Sequence, residues 1–444
     1  MTARPALGFL LLAAAWPLQA ATYQVGPGRP HATLNALFTA VDLGPDDLVL
    51  VDGGTTYPGG VVVPPSASGT AGHPVMIRGV RVGGQRPRIS GAANTVEFRR
   101  SDHLVFEGFE VTGGSSRCIL QGAHDVTVRD SVIHDCAGHG ILSTDQQSGS
   151  FTLEYSEIYD AGNGTSQHPL YIQSDEIAHP GSLFLMRYCY VHDGNGGNLL
   201  KDRHERSRIY YNWFEGAAYH ELELIGPDED TQQGGWSVDL VREDQDVVGN
   251  VIVHTNPGFG AVIRVGGDGS GQSRGRVRFV NNTILVTSGA DATVFRIFDG
   301  IQAVEAHNNV IHASAGGTIR VERTVEAVWT DGRRVGGSNN WVRSGSTFIP
   351  AEWTGTITGT NPGFANVAAL DLTPVPGGAL HDAADMAPQP IPGYAIEGVL
   401  FPPQFQPRRA LLAPGGANPR PADAQLDIGA LEHAGGRIFA DGFD

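Results

Sequence analysis

Nine short segments of one form recur along the middle of the chain, 22 to 38 residues apart. In most of them a small or polar residue is followed by a variable one and then by a large aliphatic or aromatic residue. Residues of alternating polarity precede each segment, which is typical of half-buried strands. Units of this length that bury an apolar face on their neighbours form solenoids. The segments are 109–111, 131–133, 156–158, 189–191, 212–214, 250–252, 282–284, 309–311 and 340–342.

Asparagine opens each of the last five segments, which indicates a ladder of stacked side-chain amides that hydrogen-bond from coil to coil. A helical repeat is excluded because the units lack a 3.6-residue period. We therefore predict an all-β fold, a right-handed parallel β-helix. Residues 31–41 carry apolar side chains at helical spacing behind Thr33, which predicts a short helix that caps the N-terminal end. The five asparagines are Asn212, Asn250, Asn282, Asn309 and Asn340.

The two ends of the chain differ from its middle. Arg4, the apolar run 6–16 and the small residues near Ala20 predict a signal peptide over 1–20, and the run is too short to span a bilayer. We place an N-terminal cap and first coils at 21–102, the β-helix core at 103–345, irregular C-terminal coils and a cap at 346–432, and an exposed tail at 433–444. Segment 427–432 is predicted to form a last strand. The expected location is therefore secreted, either extracellular or periplasmic.

Charge and cysteine content limit the partners. The net charge of −17 offers no basic face for nucleic acid, so a polyanionic substrate would need a local basic site. No later segment is long and apolar enough to span a membrane, and we expect a monomer. The three cysteines, Cys118, Cys136 and Cys189, allow at most one bridge within the chain, and the first two lie close enough in sequence to pair.

Lys201 is the only lysine, against 29 arginines. Arginine stays charged at working pH, whereas a lysine can lose its proton in a suitable environment. This lysine is therefore a candidate for proton transfer. The alternative is that it has only a structural role, in a salt bridge. Its sequence neighbours include other titratable groups, namely Arg203, His204, His220, Glu221 and Glu223.

Four successive strands can be aligned by the apolar residues that should face the core, namely Ile141, Leu170, Leu200 and Leu222. Because side chains alternate along a strand, this register places Tyr171, Lys201 and Glu223 on the outer face. The next outward positions are then Gln173 and Arg203. His139 and His168 precede their strands at matching positions and should stack near one edge.

At these residues the sequence resembles the exported pectin-lyase-like β-helix proteins, and it is most similar to the chondroitinase B and alginate lyase type of polysaccharide lyase. The resemblance is carried by the outward Lys201, by Tyr-Tyr-Asn-Trp-Phe at 210–214, and by the openings at 23–27 and 51–57. It implies that the lysine is a base assisted by an arginine one coil later. The corresponding strand here reads His-Glu-Leu-Glu-Leu, so Arg203 or Arg264 takes that role or the chemistry differs.

The first hypothesis is β-elimination on a uronic-acid polysaccharide. Lys201 or Tyr171 is the base and Arg203 clamps the substrate carboxylate through its bidentate fork. His168, Glu221 and Glu223 complete the predicted catalytic set. The predicted substrate-binding residues are His139, Gln173, His204, His220, Trp213 and Arg264.

Oxygen ligands near the lysine suggest Ca²⁺ as a possible cofactor. The predicted ligands are Glu221, Glu223 and Asp228, with Glu229 and Asp230 nearby, and the alternative for this acidic run is a solvated loop.

Two further functions stay open at the level of sequence. A glycoside hydrolase would use a carboxylate pair, Asp202 with Glu221 or Glu223. A non-catalytic carbohydrate-binding or adhesive solenoid would stack sugars on Trp213 and Trp236, although both tryptophans are equally suited to packing.

Overall fold

The computed structural model describes residues 20–226, 244–267, 273–325, 329, 331–421 and 424–434. Residues 1–19 of the predicted signal peptide, residues 435–444 of the predicted tail, and Asp228, Glu229, Asp230 and Trp236 lie outside these ranges. The chain winds through three parallel sheets in turn, and each strand pairs with the equivalent strand of the previous and next coil. The predicted parallel β-helix is therefore confirmed.

The first sheet has 13 strands. They are Thr22–Val25, Leu48–Asp52, Val75–Val80, Leu104–Glu107, Val126–Arg129, Phe151–Glu154, Phe184–Arg187, Arg206–Tyr210, Asp244–Val248, Arg276–Val280, Ala303–His307, Val335–Ser338 and Trp353–Thr354.

The second sheet has 10 strands and carries the aligned residues around Lys201. Its strands are Val61–Val63, Asn94–Arg99, Arg117–Gly122, His139–Ser143, Leu170–Gln173, Leu200–Arg203, Leu222–Leu224, Ala261–Val265, Ala292–Ile297 and Ile319–Thr324.

The third sheet has 12 strands, nine of which include the last two residues of a recurring segment. They are Thr56–Pro58, Arg88–Ser90, Glu110–Thr112, Val132–Cys136, Glu157–Ala161, Tyr190–His192, Trp213–Glu215, Val251–His254, Thr283–Val286, Val310–Ala313, Trp341–Arg343 and Ile357–Gly359.

The predicted N-terminal helix forms over Leu34–Ala40. The Thr33 hydroxyl accepts a hydrogen bond from the Ala36 amide at 3.2 Å and so caps its first turn. Leu34 and Leu37 are buried in the same apolar core as the first coils. A 3₁₀ turn at Val367–Ala369 and two antiparallel pairs complete the regular structure, Phe364–Asn366 with Asp371–Pro374 and Phe405–Gln406 with Asn418–Pro419.

The predicted asparagine ladder is present and fully buried. The Asn212 oxygen accepts from the Cys189 amide at 3.0 Å, and each later side-chain oxygen accepts from the backbone amide of the asparagine one coil earlier, as Asn250 Oδ1 does from Asn212 at 2.8 Å and Asn282 Oδ1 does from Asn250 at 2.9 Å. The same pattern continues through Asn309 to Asn340. Buried amides need such partners. The ladder therefore supplies hydrogen bonds to the polar groups of the turn between the first and third sheets, and it fixes the register of the coils.

The predicted last strand at 427–432 is wrong, because these residues form no strand in the structure. The segment is nevertheless buried. Its backbone folds against the third sheet, where the Ala430 amide donates to the Thr283 hydroxyl at 3.0 Å. It covers the side of the β-helix instead of adding a coil.

Cys118 and Cys136 form a disulfide with their Cα atoms 5.7 Å apart, and the buried Cys189 is a free thiol. The bridge joins the second sheet to the third across a sequence separation of 18 residues. A loop of that size corresponds to about 3 kcal/mol of stabilisation in the chain-entropy account. We expect Cys118→Ser with Cys136→Ser to lower the free energy of unfolding in urea by about that amount.

Reduced wild-type protein is the matched control for this double variant, since it loses the bridge without a change of sequence. The two should unfold at the same urea concentration. A reduced wild type that unfolds with the oxidised protein would show that the bridge contributes no stability.

Candidate active site on the second sheet

The second sheet places a line of side chains on its outer surface, one per coil. The pairings Leu170 with Leu200 and Leu200 with Leu222 confirm the register inferred from sequence. The outward neighbours therefore pair as Tyr171 with Lys201 and Lys201 with Glu223. The line continues beyond the four aligned strands through three arginines. We call it the outward column, and it comprises Tyr171, Lys201, Glu223, Arg264, Arg296 and Arg323.

Lys201 lies between an aromatic ring and a carboxylate. Its Nζ is 5.2 Å from the centroid of the Tyr171 ring and 3.7 Å from Glu223 Oε2. The lysine side chain is 14% exposed, so it reaches solvent from a largely enclosed position. The strand that carries it, Leu200–Arg203, buries Leu200 and Asp202 on the other face, which holds the amine outward.

Glu223 contacts both of the cations at the centre of the outward column. Its Oε1 is 3.0 Å from Arg264 Nη1, and its Oε2 accepts a hydrogen bond from Asn198 Nδ2. One carboxylate thus compensates two cations, Lys201 and Arg264. Arg264 also lies over the Phe298 ring, with Cζ 3.9 Å from the centroid, which fixes the plane of its guanidinium.

A polar edge runs beside the outward column and comprises His139, His168, Asn198 and His220. The His168 amide donates to His139 Nδ1 at 3.1 Å, and the Asn198 amide donates to His168 Nδ1 at 2.8 Å. A neutral imidazole held in this way carries its proton on Nε2. The ring centroids of His139 and His168 lie 5.9 Å apart, as the matching positions predict, and both rings pack on Tyr171.

The histidines at the two ends of this edge are neutral at physiological pH. Burial, followed by the nearby Arg117, lowers the pKa of His139 to about 4. Burial, followed by Arg296, also holds the pKa of His220 well below its usual range. His220 Nδ1 donates to Asn198 Oδ1 at 3.1 Å and its Nε2 accepts from Arg296 at 3.2 Å, which uses both ring nitrogens. His139 and His220 therefore add no positive charge beside the lysine.

Several residues predicted to act at the surface are buried. Arg203 is 3% exposed and donates to the Gly226 carbonyl at 2.7 Å, so it does not project outward as a clamp. His204 is fully buried, donates from Nε2 to the Gly149 carbonyl, and has its pKa lowered to about 4 by burial. Gln173 pairs with Arg203 in the sheet and remains half-buried.

Glu221 lies in the interior and not on the outer face. Its carboxylate is fully buried and accepts from His254 Nδ1 at 3.0 Å. Burial raises the pKa of Glu221, and the paired imidazole acts in the opposite direction. Trp213, a predicted substrate-binding residue, lies in the third sheet and is buried with Leu372 and Ala430, which agrees with the packing alternative. Neither residue reaches a substrate on the outward column.

Two of the three predicted Ca²⁺ ligands, Glu221 and Glu223, are not placed to bind that ion together, and the third, Asp228, lies outside the described residues. Glu223 already accepts from Asn198 and Arg264 and lies against Lys201, so its oxygens face donors and cations. Glu221 faces the interior and pairs with His254. A calcium site needs six to eight converging oxygens, and these two carboxylates point to different places.

Asp202 is fully buried among the apolar side chains of the β-helix interior, where it pairs with Ile172 and Leu224 of the adjacent coils. Burial raises its pKa to about 7, against the hydrogen bond from the His204 amide at 2.9 Å, which favours the carboxylate. This position also removes Asp202 from any carboxylate pair that could hydrolyse a glycosidic bond.

We expect Asp202→Asn to stabilise the protein at alkaline pH. The pKa of Asp202 is higher in the folded protein than in the unfolded chain, so protonated Asp202 favours the folded state. This contribution to the free energy of unfolding is complete below about pH 4 and is lost as the pH rises through about 7. The variant has no such loss, and its advantage is at most about 4 kcal/mol. Thermal unfolding should give a higher Tm for the variant at pH 8, with a difference that shrinks toward pH 4.

The exposed Asp331 provides the control for that comparison, because Asp331→Asn makes the same chemical change in solvent. Its Tm should follow the wild type at every pH. If Tm varies with pH in the same way in Asp202→Asn and in the wild type, ionisation of Asp202 does not destabilise the folded protein.

Comparisons with known proteins agree with the architecture. Residues 119–330 match a family model described as "Right handed beta helix region". No curated protein matches the chain. Within the described ranges, no helix has the length and apolar character needed to cross a membrane.

Solved structures with a similar winding share little sequence with the chain. The pectate lyase Pel9A has 12% identity and a TM-score of 0.45, over 93% of this chain and 96% of that one. A mannuronic acid specific family 6 polysaccharide lyase from human gut microbiota has 13% identity and a TM-score of 0.41, over 76% and 81%. An alginate lyase from Paenibacillus sp. has 18% identity and a TM-score of 0.31, over 71% and 97%. The three parallel sheets give the chain the fold of a parallel β-helix, and the match over residues 119–330 is to the right-handed form.

Proposed function

We propose that the outward column is the active site of an exported lyase that cleaves a uronic-acid-containing polysaccharide by β-elimination. The observation that carries this proposal is the position of Lys201. The only amine of a lysine side chain in the protein lies 5.2 Å from a tyrosine ring, next to a glutamate that also binds an arginine, on the outer surface of a sheet.

The reaction needs a base, an acid and a group that neutralises the substrate carboxylate. The base removes the proton at C5 of the uronate. The electrons of that C–H bond form the C4–C5 double bond, the C4–O bond breaks, and the leaving oxygen takes a proton from the acid. Lys201 and Tyr171 are adjacent and supply the two proton-transfer groups, with Lys201 as the base and Tyr171 as the acid or the reverse.

Arg264 is the better candidate for the carboxylate clamp. It stands on the outward column, whereas Arg203 is buried against the Gly226 carbonyl. Its guanidinium is held by Glu223 and by the Phe298 ring, and such a fixed fork suits a bidentate carboxylate. His139 and His168 are proposed to bind sugar hydroxyls along the polar edge. His220, also a predicted substrate-binding residue, is left out because both of its ring nitrogens are bonded within the protein.

The arginines further along the outward column support an acidic polymer as the substrate. Arg264, Arg296 and Arg323 are direct partners on successive strands. Like charges directly opposite each other destabilise a sheet, yet this chain of net charge −17 stacks three of them. A polyanion lying along the column would relieve that repulsion and would gain a charged contact at each coil.

Hydrolysis is not favoured by the positions of the carboxylates. Glycosidases need two carboxyl groups on either side of the bond, about 5 to 9.5 Å apart and open to the sugar. Asp202 and Glu221 are fully buried, which leaves Glu223 without a partner among the predicted pairs.

Export is part of this proposal and rests on two features. Residues 1–20 have the composition of a signal peptide. The Cys118–Cys136 bridge suits an oxidising compartment, because disulfides are rare in the reducing cytosol.

The experiment that tests this function is an absorbance assay for the unsaturated uronate product. Purified protein is incubated with alginate, pectate and chondroitin, and each reaction is also measured for reducing ends. We expect absorbance to rise together with reducing ends on one acidic polymer. Reducing ends without absorbance would indicate hydrolysis, and binding of a polymer without either signal would indicate a non-catalytic solenoid.

A further inference from the structure

Phe348 combines two unfavourable features on the surface of the protein. Its side chain is 63% exposed, which makes it the most exposed large hydrophobic residue of the described chain. Its backbone has a φ of 53°, a left-handed conformation that bulky residues rarely adopt. Strain of this kind persists where the surroundings impose it and is often found at ligand sites.

The position of Phe348 connects it to the outward column. The preceding residue, Thr347, pairs with Arg320 in a parallel bridge, and its carbonyl accepts from the Val321 amide at 2.9 Å. The second sheet therefore extends by one bridge beyond its last strand. Phe348 stands on the coil that follows Arg323, and Arg320 lies over its ring with Cζ 4.4 Å from the centroid.

A cavity of about 590 Å³ opens at this end of the column, a volume within the range of small-ligand sites. It is lined by Arg320, Arg323, Arg333, Phe348, Ile349 and Pro350 among others. Arg333 is neutralised by Glu322 and by Glu352, which is 3.0 Å from its Nε, and these partners raise its pKa.

Two cations of this cavity remain available for a ligand. Among the residues that the structure describes, no carboxylate forms an ion pair with Arg320 or Arg323. An exposed aromatic ring beside two such guanidinium groups suits a sugar that carries a carboxylate. The apolar face of the sugar packs on the ring, and the carboxylate receives the N–H groups of an arginine.

We propose that this cavity is a distal subsite for a uronic acid unit of the polymer that is cleaved at Lys201. The inference rests on the proposed function and deepens it, because it fixes the path and length of the substrate. Lys201 and Arg323 are separated by four coil steps, which is about 19 Å at the spacing of neighbouring strands. A pyranose unit in an extended 1,4-linked chain is about as long as one coil step. A substrate must therefore contain about five units to reach both ends.

The test is a calorimetric titration of Lys201→Ala protein, which binds without turnover. The probes are trisaccharides and hexasaccharides of galacturonate and of mannuronate. We expect the hexasaccharide of one polymer to bind at least tenfold more tightly than its trisaccharide. Phe348→Ala added to this protein should abolish that advantage and leave trisaccharide binding unchanged, and Phe348→Tyr should restore it.

Two variants separate a subsite from a structural role. Phe348→Gly removes the ring and relieves the positive φ, so it should raise Tm while it loses the hexasaccharide advantage. Arg81→Gln changes an arginine that is 49% exposed near the third sheet and should alter neither. If oligosaccharides bind, but their affinity depends neither on their length nor on Phe348, the distal subsite is wrong and the proposed function stands. If none of these oligosaccharides binds, the distal subsite for galacturonate or mannuronate is wrong, and the absorbance assay on the polymers decides the proposed function separately.

Discussion

Replacing Lys201 by arginine should reduce lyase activity by about 10²- to 10⁴-fold, the usual contribution of a positioned acid or base. Arginine keeps the positive charge that faces Glu223 at 3.7 Å, so polymer binding should change little. It cannot give up its proton at working pH, so proton transfer is lost. Initial rates of absorbance on the cleaved polymer give kcat, and calorimetry gives the affinity.

Two comparisons make this result specific. Tyr171→Phe keeps the ring that packs against the lysine and removes only the phenol, so it should also lower kcat without weakening binding. Arg81→Lys exchanges the same two residue types at an exposed position near the third sheet and should leave both quantities unchanged. Full activity in Lys201→Arg would show that the amine transfers no proton.

The largest effect on stability is expected at Arg420. Its guanidinium is 1% exposed and lies 2.6 Å from Glu432, and it also donates to the carbonyls of Asp427, Gly429 and Ala430. Arg420→Met keeps much of the volume but leaves a buried carboxylate and three carbonyls without their donor. Breaking such a pair costs about 3–5 kcal/mol, which should appear as a lower urea midpoint.

The pair joins Arg420 to segment 427–432, and the backbone of that segment in turn bonds to Asn281 and Thr283 of the β-helix. The double change Arg420→Met with Glu432→Gln removes the unpaired charge and should recover part of the loss. An unchanged urea midpoint in Arg420→Met would mean that the segment contributes nothing to the cooperative fold.

The repeat could be predicted from the sequence because each coil places the same types of residue at equivalent positions. The buried asparagines follow each other in one register, and the apolar residues Leu170, Leu200 and Leu222 allow only one face to point inward. A shift of one residue would bury Lys201, and that cost decided the register correctly. Extending the alignment by two strands would also have found Arg264 and Arg296 in the outward column.

The errors around the site have two physical causes. Alternation applies only within a strand, and Glu221 precedes the strand Leu222–Leu224, so its side chain turns inward to His254. Arg203 ends its strand and folds back to the Gly226 carbonyl. Trp213 follows alternation correctly, but residues far along the chain, Leu372 and Ala430, cover it. Burial by residues so distant in the sequence cannot be predicted from the local pattern around Trp213.

Oxygen-labelled water tests the elimination mechanism most directly. A polymer that the protein cleaves is incubated in labelled water, and the new chain ends are analysed by mass spectrometry and NMR. We predict a C4–C5 double bond at the new non-reducing end, with no label introduced by the cleavage, and loss of this product in Lys201→Arg. A saturated new non-reducing end, formed together with a labelled new reducing end, would show that water attacks the bond and would contradict a lysine-centred elimination on the outward column.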